Sequence, residues 1–336
     1  MLGVILLLQA LTVVVSGPVT STEYLPLHVA EAEGYFTREG LAVTIRTTRA
    51  EPGAAEALAQ GQAQIVATSL ESILRFGIRT TSPAPRLVFG LTAAPPVALV
   101  VSSATHDGLR SVEDLPGTRI GVVTPGTPEH TWFGWLLARA GLSVAQVSIT
   151  SLGSRGLVGA LESGEVHAGL VTEPSASRLL KDGRVRVLVD LRSPERVAQA
   201  LGALTVNAAV FTRADGRVSD RDLSGFLRAL LAAERRIAEA DGPALIARLS
   251  TRVVGSPGDF EERLETARGM YLPNGLVSSD QLRETMAMIR GHLALPPALR
   301  VPKTEEFLYT TPLRRVLKAS PARRRRSHSP PPGDAG

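Results

Sequence analysis

Short polar turns follow four predicted strands, and each turn leads into a predicted helix. They occupy residues 17–24, 68–69, 124–130 and 151–154 and are rich in Ser, Thr and Gly. A helix N-terminus presents unpaired backbone N–H groups and partial positive charge, so turns of this kind bind anionic or polar groups well. Each hydroxyl can instead cap its own helix. Four such turns in one chain favour a binding site for a small polar ligand.

Three further side chains near these turns could contact a ligand. Glu173 follows a predicted strand directly, where its carboxylate can accept hydrogen bonds from a ligand or tie down its own loop. Tyr24 and Trp132 lie in polar turns of a chain with only 4% aromatic residues, and an aromatic ring there can stack on or enclose a ligand. The apolar helix around Trp132 favours core packing for that residue.

The motifs of common catalytic sites are absent from the sequence. It contains no G-x-x-x-x-G-K-[ST] phosphate loop, no G-x-G-x-x-G dinucleotide loop, no H-E-x-x-H zinc motif and no G-x-S-x-G nucleophile elbow. The chain has no cysteine, which excludes disulfides, thiolate nucleophiles and Fe–S clusters. Its six histidines show no i, i+4 pairing. The sequence therefore predicts no catalytic residue, no metal site and no cofactor.

Length and charge place further limits on function. The 336 residues, 44% of them apolar, are enough for two domains with hydrophobic cores. Residues 314–336 hold seven of the 37 basic residues and one of the 32 acidic residues, so the remaining chain has a net charge of −1. The net charge of +5 thus belongs to the C-terminus, and the body of the protein is not an electrostatic binder of nucleic acid.

The two ends differ from the body in composition. We interpret residues 1–10, which are apolar apart from Gln9, as the remnant of an export signal, followed by a strand over 11–16. The alternative is a wholly internal strand with a frayed apolar start. Residues 320–336 combine an arginine block with a proline run and are predicted to be a disordered tail.

Between the ends, short apolar strands alternate with helical segments, a pattern typical of α/β proteins with mostly parallel sheets. The predicted strands are 11–16, 43–47, 64–68, 86–91, 97–101, 119–123, 147–150, 168–171, 186–190 and 204–211. The predicted helices are 27–33, 54–60, 70–75, 131–140, 155–162, 219–240, 243–250, 257–270 and 278–292. Ser278 and Gln281 form a capping-box pattern at the start of the last helix.

A weak internal repeat indicates two related units. The pattern A-L-x-x-G-x-A-Q-x-x-x-T at 57–68 is echoed by A-L-x-x-G-x-V-H-x-x-x-V at 160–171. Each copy reads as a helix, a glycine cap and a buried strand. Two such units predict two lobes with a ligand crevice outside the carboxyl ends of the strands.

The segment PLHVAEAEGYFTREGLAV at 26–43 resembles the PLYVAxEKGYFxxEGLxV signature of solute-binding proteins of the nitrate/sulfonate/taurine and thiamine-pyrimidine (SsuA/THI5-like) type. ALAQG at 57–61, SVEDLPGTRIGV at 111–122 and Glu173-Pro174 resemble further elements of that family. The family usually has Asp where this chain has Gln64 and His167.

The resemblance implies a type II periplasmic-binding-protein fold, in which two lobes with mostly parallel sheets are joined by a two-strand hinge. It divides the chain into lobe 1 (11–94 and the mostly helical 207–319) and lobe 2 (95–206). By analogy with the family, a set of cleft-facing residues would bind the ligand: Ser21, Thr22, Tyr24, Thr68, Ser69, Gly126, Thr127, Ser154 and Glu173.

The function implied by the resemblance is that of an extracytoplasmic, monomeric solute-binding component of an ABC importer. It would capture a small polar solute, such as a sulfonate, nitrate or an aminopyrimidine, by hinge closure and deliver it to a membrane permease. The alternatives are an enzyme on the same fold, such as a lyase of the menaquinone-biosynthesis type, and a sensor of ligand occupancy. The lack of cysteine excludes the related pyrimidine synthase, which depends on a cysteine-rich motif.

Overall fold

A computed structural model describes residues 10–49, 51–79, 82–104, 108–123, 128–292 and 301–319. The segment interpreted as a signal remnant, except residue 10, and the predicted tail lie outside these residues. The strands are β1 Leu11–Val15, β2 Val43–Thr47, β3 Ile65–Ser69, β4 Pro85–Thr92, β5 Val97–Ser102, β6 Arg119–Val122, β7 Ser148–Ser151, β8 Ala168–Thr172, β9 Val185–Asp190 and β10 Ala208–Arg213.

Fifteen α-helices connect or follow these strands in the described residues. They are α1 Leu25–Ala32, α2 Tyr35–Arg38, α3 Pro52–Ala59, α4 Leu70–Phe76, α5 Pro128–Arg139, α6 Gly153–Ser163, α7 Ser175–Lys181, α8 Pro194–Leu201, α9 Asp220–Glu239, α10 Gly242–Ile246, α11 Thr251–Val254, α12 Pro257–Met270, α13 Ser279–His292, α14 Thr304–Phe307 and α15 Thr311–Ala319. In the described part of the chain, no helix combines the length and apolarity needed to cross a bilayer.

The strands form two five-stranded sheets with the same internal plan. The first has the order β2-β1-β3-β10-β4 and the second the order β7-β6-β8-β5-β9. In each sheet four strands run in one direction, and the fifth, β10 or β5, is antiparallel to both of its neighbours. We call the first sheet with its packed helices lobe 1 and the second sheet with its helices lobe 2. The mostly parallel, two-lobed α/β architecture predicted from the sequence is confirmed.

The ten predicted strands and nine predicted helices are all present, with one strand start corrected. The last strand begins at Ala208, whereas the sequence predicted residue 204. Thr205 and Asn207 are buried but lie in the connection from lobe 2, where their side chains bond to the backbone of Ala93 and to Glu23. These residues resemble a strand in the sequence because they are buried where the chain passes between the lobes, although the strand itself begins at Ala208.

Six helices of four to nine residues were not predicted; α2, α11 and α14 are single turns, too short to show a periodicity, whereas α7, α8 and α15 have about two turns and were missed. The capping box at Ser278 is half formed: Ser278 Oγ accepts from the Gln281 backbone N–H at 3.1 Å, but the Gln281 amide donates to the Thr205 carbonyl at 2.6 Å. The Gln281 side chain thus ties α13 to the connection between the lobes instead of returning to its own cap.

Gln64 and His167, which occupy the family's aspartate positions, have equivalent roles in the two lobes. Gln64 Oε1 accepts a hydrogen bond from the Thr12 backbone N–H at 2.8 Å, beside β1. His167 Nδ1 accepts one from the Arg119 backbone N–H, also at 2.8 Å, at the start of β6. Each side chain is an acceptor for the neighbouring parallel strand, as an aspartate carboxylate would be, so both substitutions preserve the local strand junction.

Helices α12 and α13 contact the cores of both lobes. Phe260 and Leu264 of α12 belong to the apolar core of lobe 1, while Ala267 and Met270 belong to that of lobe 2. The chain passes between the sheets at residues 93–96, between β4 and β5, and again at residues 202–207 before β10. The two strand connections and these two helices therefore join the lobes on one side, and the carboxyl ends of the parallel strands face each other across a cleft.

Candidate functional site

The cleft between the lobes has a volume of about 540 Å³. Its described walls come from the turns after β1, β2, β3, β6, β7 and β8, together with the first residues of α4 and α5 and the crossing segments. The lining residues include Gly17, Pro18, Thr20, Ser21, Thr22, Glu23, Arg49, Glu51, Ser69, Glu71, Ser72, Phe76, Pro95, Pro96, Glu129, Ser154, Glu173, Asn207 and Arg263. A crevice at this position is where open α/β sheets bind ligands.

The structure brings five of the nine predicted ligand-binding residues to this cleft. These are Ser21, Thr22, Ser69, Ser154 and Glu173. Gly126 and Thr127 lie outside the described residues. Whether any of the nine contacts a ligand stays a prediction.

Tyr24 and Thr68 lie behind the cleft wall rather than on it, which corrects their predicted placement. Tyr24 is 1% exposed and packs in the core of lobe 1, and Thr68 is fully buried. Both bond to Glu51 Oε1, the Tyr24 hydroxyl at 2.8 Å and the Thr68 hydroxyl at 3.3 Å. The Ser69 backbone N–H donates to the same oxygen at 2.9 Å. These residues hold the Glu51 carboxylate, and burial raises its pKa above the ordinary value.

Glu23 lies on the lobe 1 wall and bonds to neutral donors only. Its carboxylate accepts from the Ser21 hydroxyl at 3.0 Å and from the Asn207 side-chain amide. Burial, followed by the nearby charges of Glu51 and Glu129, raises the pKa of Glu23 from 4.5 to about 8. No cation bonds to it among the described residues, so its ionised form is poorly stabilised at neutral pH.

Glu71 connects the lobes across the cleft. It lies in the first turn of α4 and is 5% exposed, and its Oε2 accepts a hydrogen bond from the Thr131 hydroxyl of α5 at 2.7 Å. Burial raises the pKa of Glu71 to about 7, with a smaller contribution from the charge of Glu129. A buried side-chain bond between the two lobes depends on their separation, so it reports directly on how far the cleft is closed.

Glu173, on the lobe 2 wall, is already bonded within the protein. Its side chain is 1% exposed; Oε1 accepts from Arg192 at 2.5 Å and from the Ser177 hydroxyl at 2.9 Å, and Oε2 accepts from the Ser177 backbone N–H at 3.2 Å. Asp190 holds the other side of the Arg192 guanidinium at 2.8 Å. The geometry shows the loop-tying arrangement that the sequence left open beside ligand binding.

The remaining charged groups of the cleft differ in how they are bonded. Glu129, in the first turn of α5, has an enclosed Oε2 atom with no hydrogen-bond partner. Arg263 is buried and donates to the backbone carbonyls of Thr20, Val254 and Asp259. Arg49 is exposed.

The sequence reasoning missed Glu51, Glu71, Glu129 and Asn207. The first three lie immediately before a helix or in its first turn, and a carboxylate there ordinarily stabilises its own helix. One pattern in the sequence could have identified these three acids. Each of their helices follows a parallel strand, so the N-termini of these helices point toward the same crevice.

The described lining contains hydroxyl, amide, carboxyl and guanidinium groups but no histidine, lysine or cysteine. Across the described residues, no group of three or more potential metal ligands is arranged to hold a metal ion. The arrangement provides hydrogen bonds and negative charge to a molecule enclosed between the lobes.

Solved structures with the same architecture come from several organisms. A protein from Bordetella bronchiseptica RB50 is 24% identical, with a TM-score of 0.73, over 93% of this chain and 98% of that one. The alkanesulfonate-binding protein SsuA from Xanthomonas axonopodis pv. citri, bound to MOPS, is 20% identical with a TM-score of 0.66, over 90% and 98%. The periplasmic nitrate-binding protein NrtA from Synechocystis PCC 6803 is 12% identical with a TM-score of 0.62, over 93% and 89%. A comparison with curated protein sequences gave no match.

These likenesses and the sheet order define a two-lobed protein of the type II periplasmic-binding-protein fold. The family model described as NMT1/THI5 like matches residues 21–200, more than half of the chain. The chain belongs to the NMT1/THI5-like family, as the motifs at 26–43, 57–61 and 111–122 predicted.

Proposed function

We propose that this protein is the extracytoplasmic solute-binding component of an ABC importer, which captures a small polar solute between its lobes and presents the closed form to a membrane permease. The observation that carries the proposal is the cleft itself. It holds about 540 Å³ between two lobes, and both lobes contribute polar side chains to its walls. A volume of this size encloses a small molecule.

The connections between the lobes support hinge closure as the mechanism. Two extended crossings and the helices α12 and α13 join the lobes on one side of the cleft. The described side-chain bonds between the lobes include the Thr131–Glu71 hydrogen bond and the exposed Arg178–Asp259 ion pair at 2.6 Å between α7 and α12. The exposed ion pair contributes little to stability, so it forms and breaks with little change in free energy, whereas opening the cleft would break the buried Thr131–Glu71 bond. A bound solute can therefore shift the balance toward the closed form.

Ligand-dependent stabilisation and compaction test the proposal. The purified protein is screened by thermal denaturation against sulfonates, nitrate, amino acids, amines and pyrimidines, and each hit is followed by small-angle X-ray scattering. A solute at 100 times its Kd is expected to add about 2.7 kcal/mol to the unfolding free energy. It is also expected to reduce the radius of gyration. No stabilisation by any solute, together with turnover of a chorismate-type substrate, would replace transport by the enzyme alternative.

A further inference from the structure

The charges of the cleft are strongly unbalanced. Its described lining contains five carboxyl groups and two guanidinium groups. The undescribed residues 50 and 124–127, which adjoin it in sequence, have no ionisable side chain. The imbalance is therefore a property of the described walls.

The internal partners of these groups leave more acids than bases to face a ligand, namely four carboxyl groups and the exposed Arg49 guanidinium. Glu173 is paired with Arg192, and the Arg263 guanidinium is held by three backbone carbonyls. Four carboxyl groups remain, those of Glu23, Glu51, Glu71 and Glu129, and their recorded hydrogen bonds come from hydroxyl and amide donors. In their ionised forms these carboxyls place negative charge on both walls, which disfavours an anion and favours a cation between them.

Glu129 lies on the opposite lobe from the other three acids. It lines the same cleft as these acids, and its charge contributes, after burial, to the raised pKa of Glu23, Glu51 and Glu71. Its Oε2 atom is enclosed and has no partner, although a buried carboxylate oxygen normally accepts a hydrogen bond. A hydrogen-bond donor of the ligand would supply the missing partner of Glu129 Oε2.

Accepting the proposed function, we propose that the solute is a small organic cation whose N–H groups bridge Glu129 of lobe 2 to the Glu23, Glu51 and Glu71 carboxyls of lobe 1. An N–H cation supplies both a charge and directional donors. Because the described residues form no metal-ligand cluster and the cleft has the volume of an organic molecule, a bare metal ion fits less well. The cation also removes the repulsion between the lobes, so binding favours closure.

Matched solutes that differ in one group test the charge requirement. Taurine and isethionate share a sulfonate and differ in ammonium against hydroxyl, and cadaverine and 1,5-pentanediol differ in the same way without an anion. Calorimetry on the full chain is expected to give at least tenfold tighter binding for the amine of each pair, with nitrate and methanesulfonate not binding. If isethionate or methanesulfonate binds as tightly as taurine, this inference is overturned while the importer proposal stands. If none of the six solutes binds and the wider screen also finds no ligand, both proposals fail.

Two variants locate the contact. Glu129→Gln keeps the size of the side chain and removes its charge, and we expect it to weaken binding of the best amine at least tenfold. Glu162→Gln, on the exposed surface of α6, removes an equal charge far from the cleft and is expected to leave the affinity unchanged. Equal affinities in the Glu129→Gln and Glu162→Gln proteins would remove Glu129 from the site.

The pH dependence of binding separates a cation from an anion. A bound cation stabilises the ionised carboxylates and releases protons, so the affinity for cadaverine is expected to rise about tenfold between pH 6 and pH 8. An anion would need the protonated carboxyls, and its affinity would fall over the same range. The charged and titratable groups that act on Glu23 and Glu71 are Glu51, Glu129, Arg75 on α4, Tyr24 and Tyr271. A decrease in cadaverine affinity from pH 6 to pH 8 would contradict the cation assignment.

Discussion

Replacing Glu23 by Gln is expected to stabilise the ligand-free protein at pH 8. The glutamine amide fits the same contacts, because its oxygen can accept from Asn207 and its NH₂ group can donate to the Ser21 oxygen. The Glu23 carboxyl has a pKa of about 8 in the folded protein and 4.5 as its ordinary value. The folded state therefore binds this proton more tightly than the unfolded state, and the unfolding free energy falls as pH rises from about 4.5 to about 8.

The size of the effect follows from these two pKa values. At pH 8 they correspond to a ceiling of about 4 kcal/mol, because one pKa unit is worth about 1.4 kcal/mol. Water entry and movement of neighbouring side chains reduce this ceiling, so we expect Glu23→Gln to gain about 1–3 kcal/mol at pH 8. At pH 5 this carboxyl is protonated in the folded state and about three-quarters ionised in the unfolded state, so the ceiling falls to about 0.8 kcal/mol and the expected gain to below about 0.6 kcal/mol.

Urea denaturation of both proteins at pH 5 and pH 8, followed by circular dichroism, measures these differences. Glu173→Gln is the matched control, since it removes another buried cleft carboxylate that is paired with Arg192. That variant is expected to lose about 1–3 kcal/mol at pH 8, because the partly buried Arg192 guanidinium loses one of its two carboxylate partners. A Glu23→Gln protein that is no more stable than wild type at pH 8, or that gains equally at pH 5, would refute the conclusion that folding raises the pKa of Glu23.

Three further substitutions test single features of the fold and cleft. Thr131→Val removes the hydrogen-bond donor to Glu71. It is expected to lower the unfolding free energy by about 1–3 kcal/mol and to increase the radius of gyration in X-ray scattering. Thr131→Ser keeps the hydroxyl and should change neither quantity. Ser69→Ala removes the side-chain acceptor 3.1 Å from the N3 backbone N–H of α4 and should cost about 1 kcal/mol in urea denaturation; an unfolding free energy equal to wild type would contradict the cap. Gly17→Ala places a Cβ atom against the Thr48 backbone carbonyl, so a loss above about 1 kcal/mol is expected, and a thermal midpoint equal to wild type would contradict the close approach.

Local patterns in the sequence were sufficient for much of the architecture. Buried strands such as β3 and β5 are short apolar runs bounded by turn residues, and the amphipathic period of α9 extends over 20 residues, so both kinds of element are recognisable without tertiary information. The repeat at 57–68 and 160–171 indicated two lobes because each unit carries its own helix, cap and strand. The one-turn helices α2, α11 and α14 escaped because four residues are too few to show a period.

The turns that form the cleft were also recognisable from the sequence alone, because each follows a parallel strand and precedes a helix. Only the tertiary structure decided which side chains line it. Tyr24 and Thr68 lie in the predicted turns but point behind the wall toward Glu51, whereas Glu71 and Glu129 resembled ordinary helix-capping acids until the two lobes placed them on opposite walls. Charge and burial at such a site depend on distances between residues far apart in the chain, and those distances are set by how the lobes pack rather than by local residue pattern.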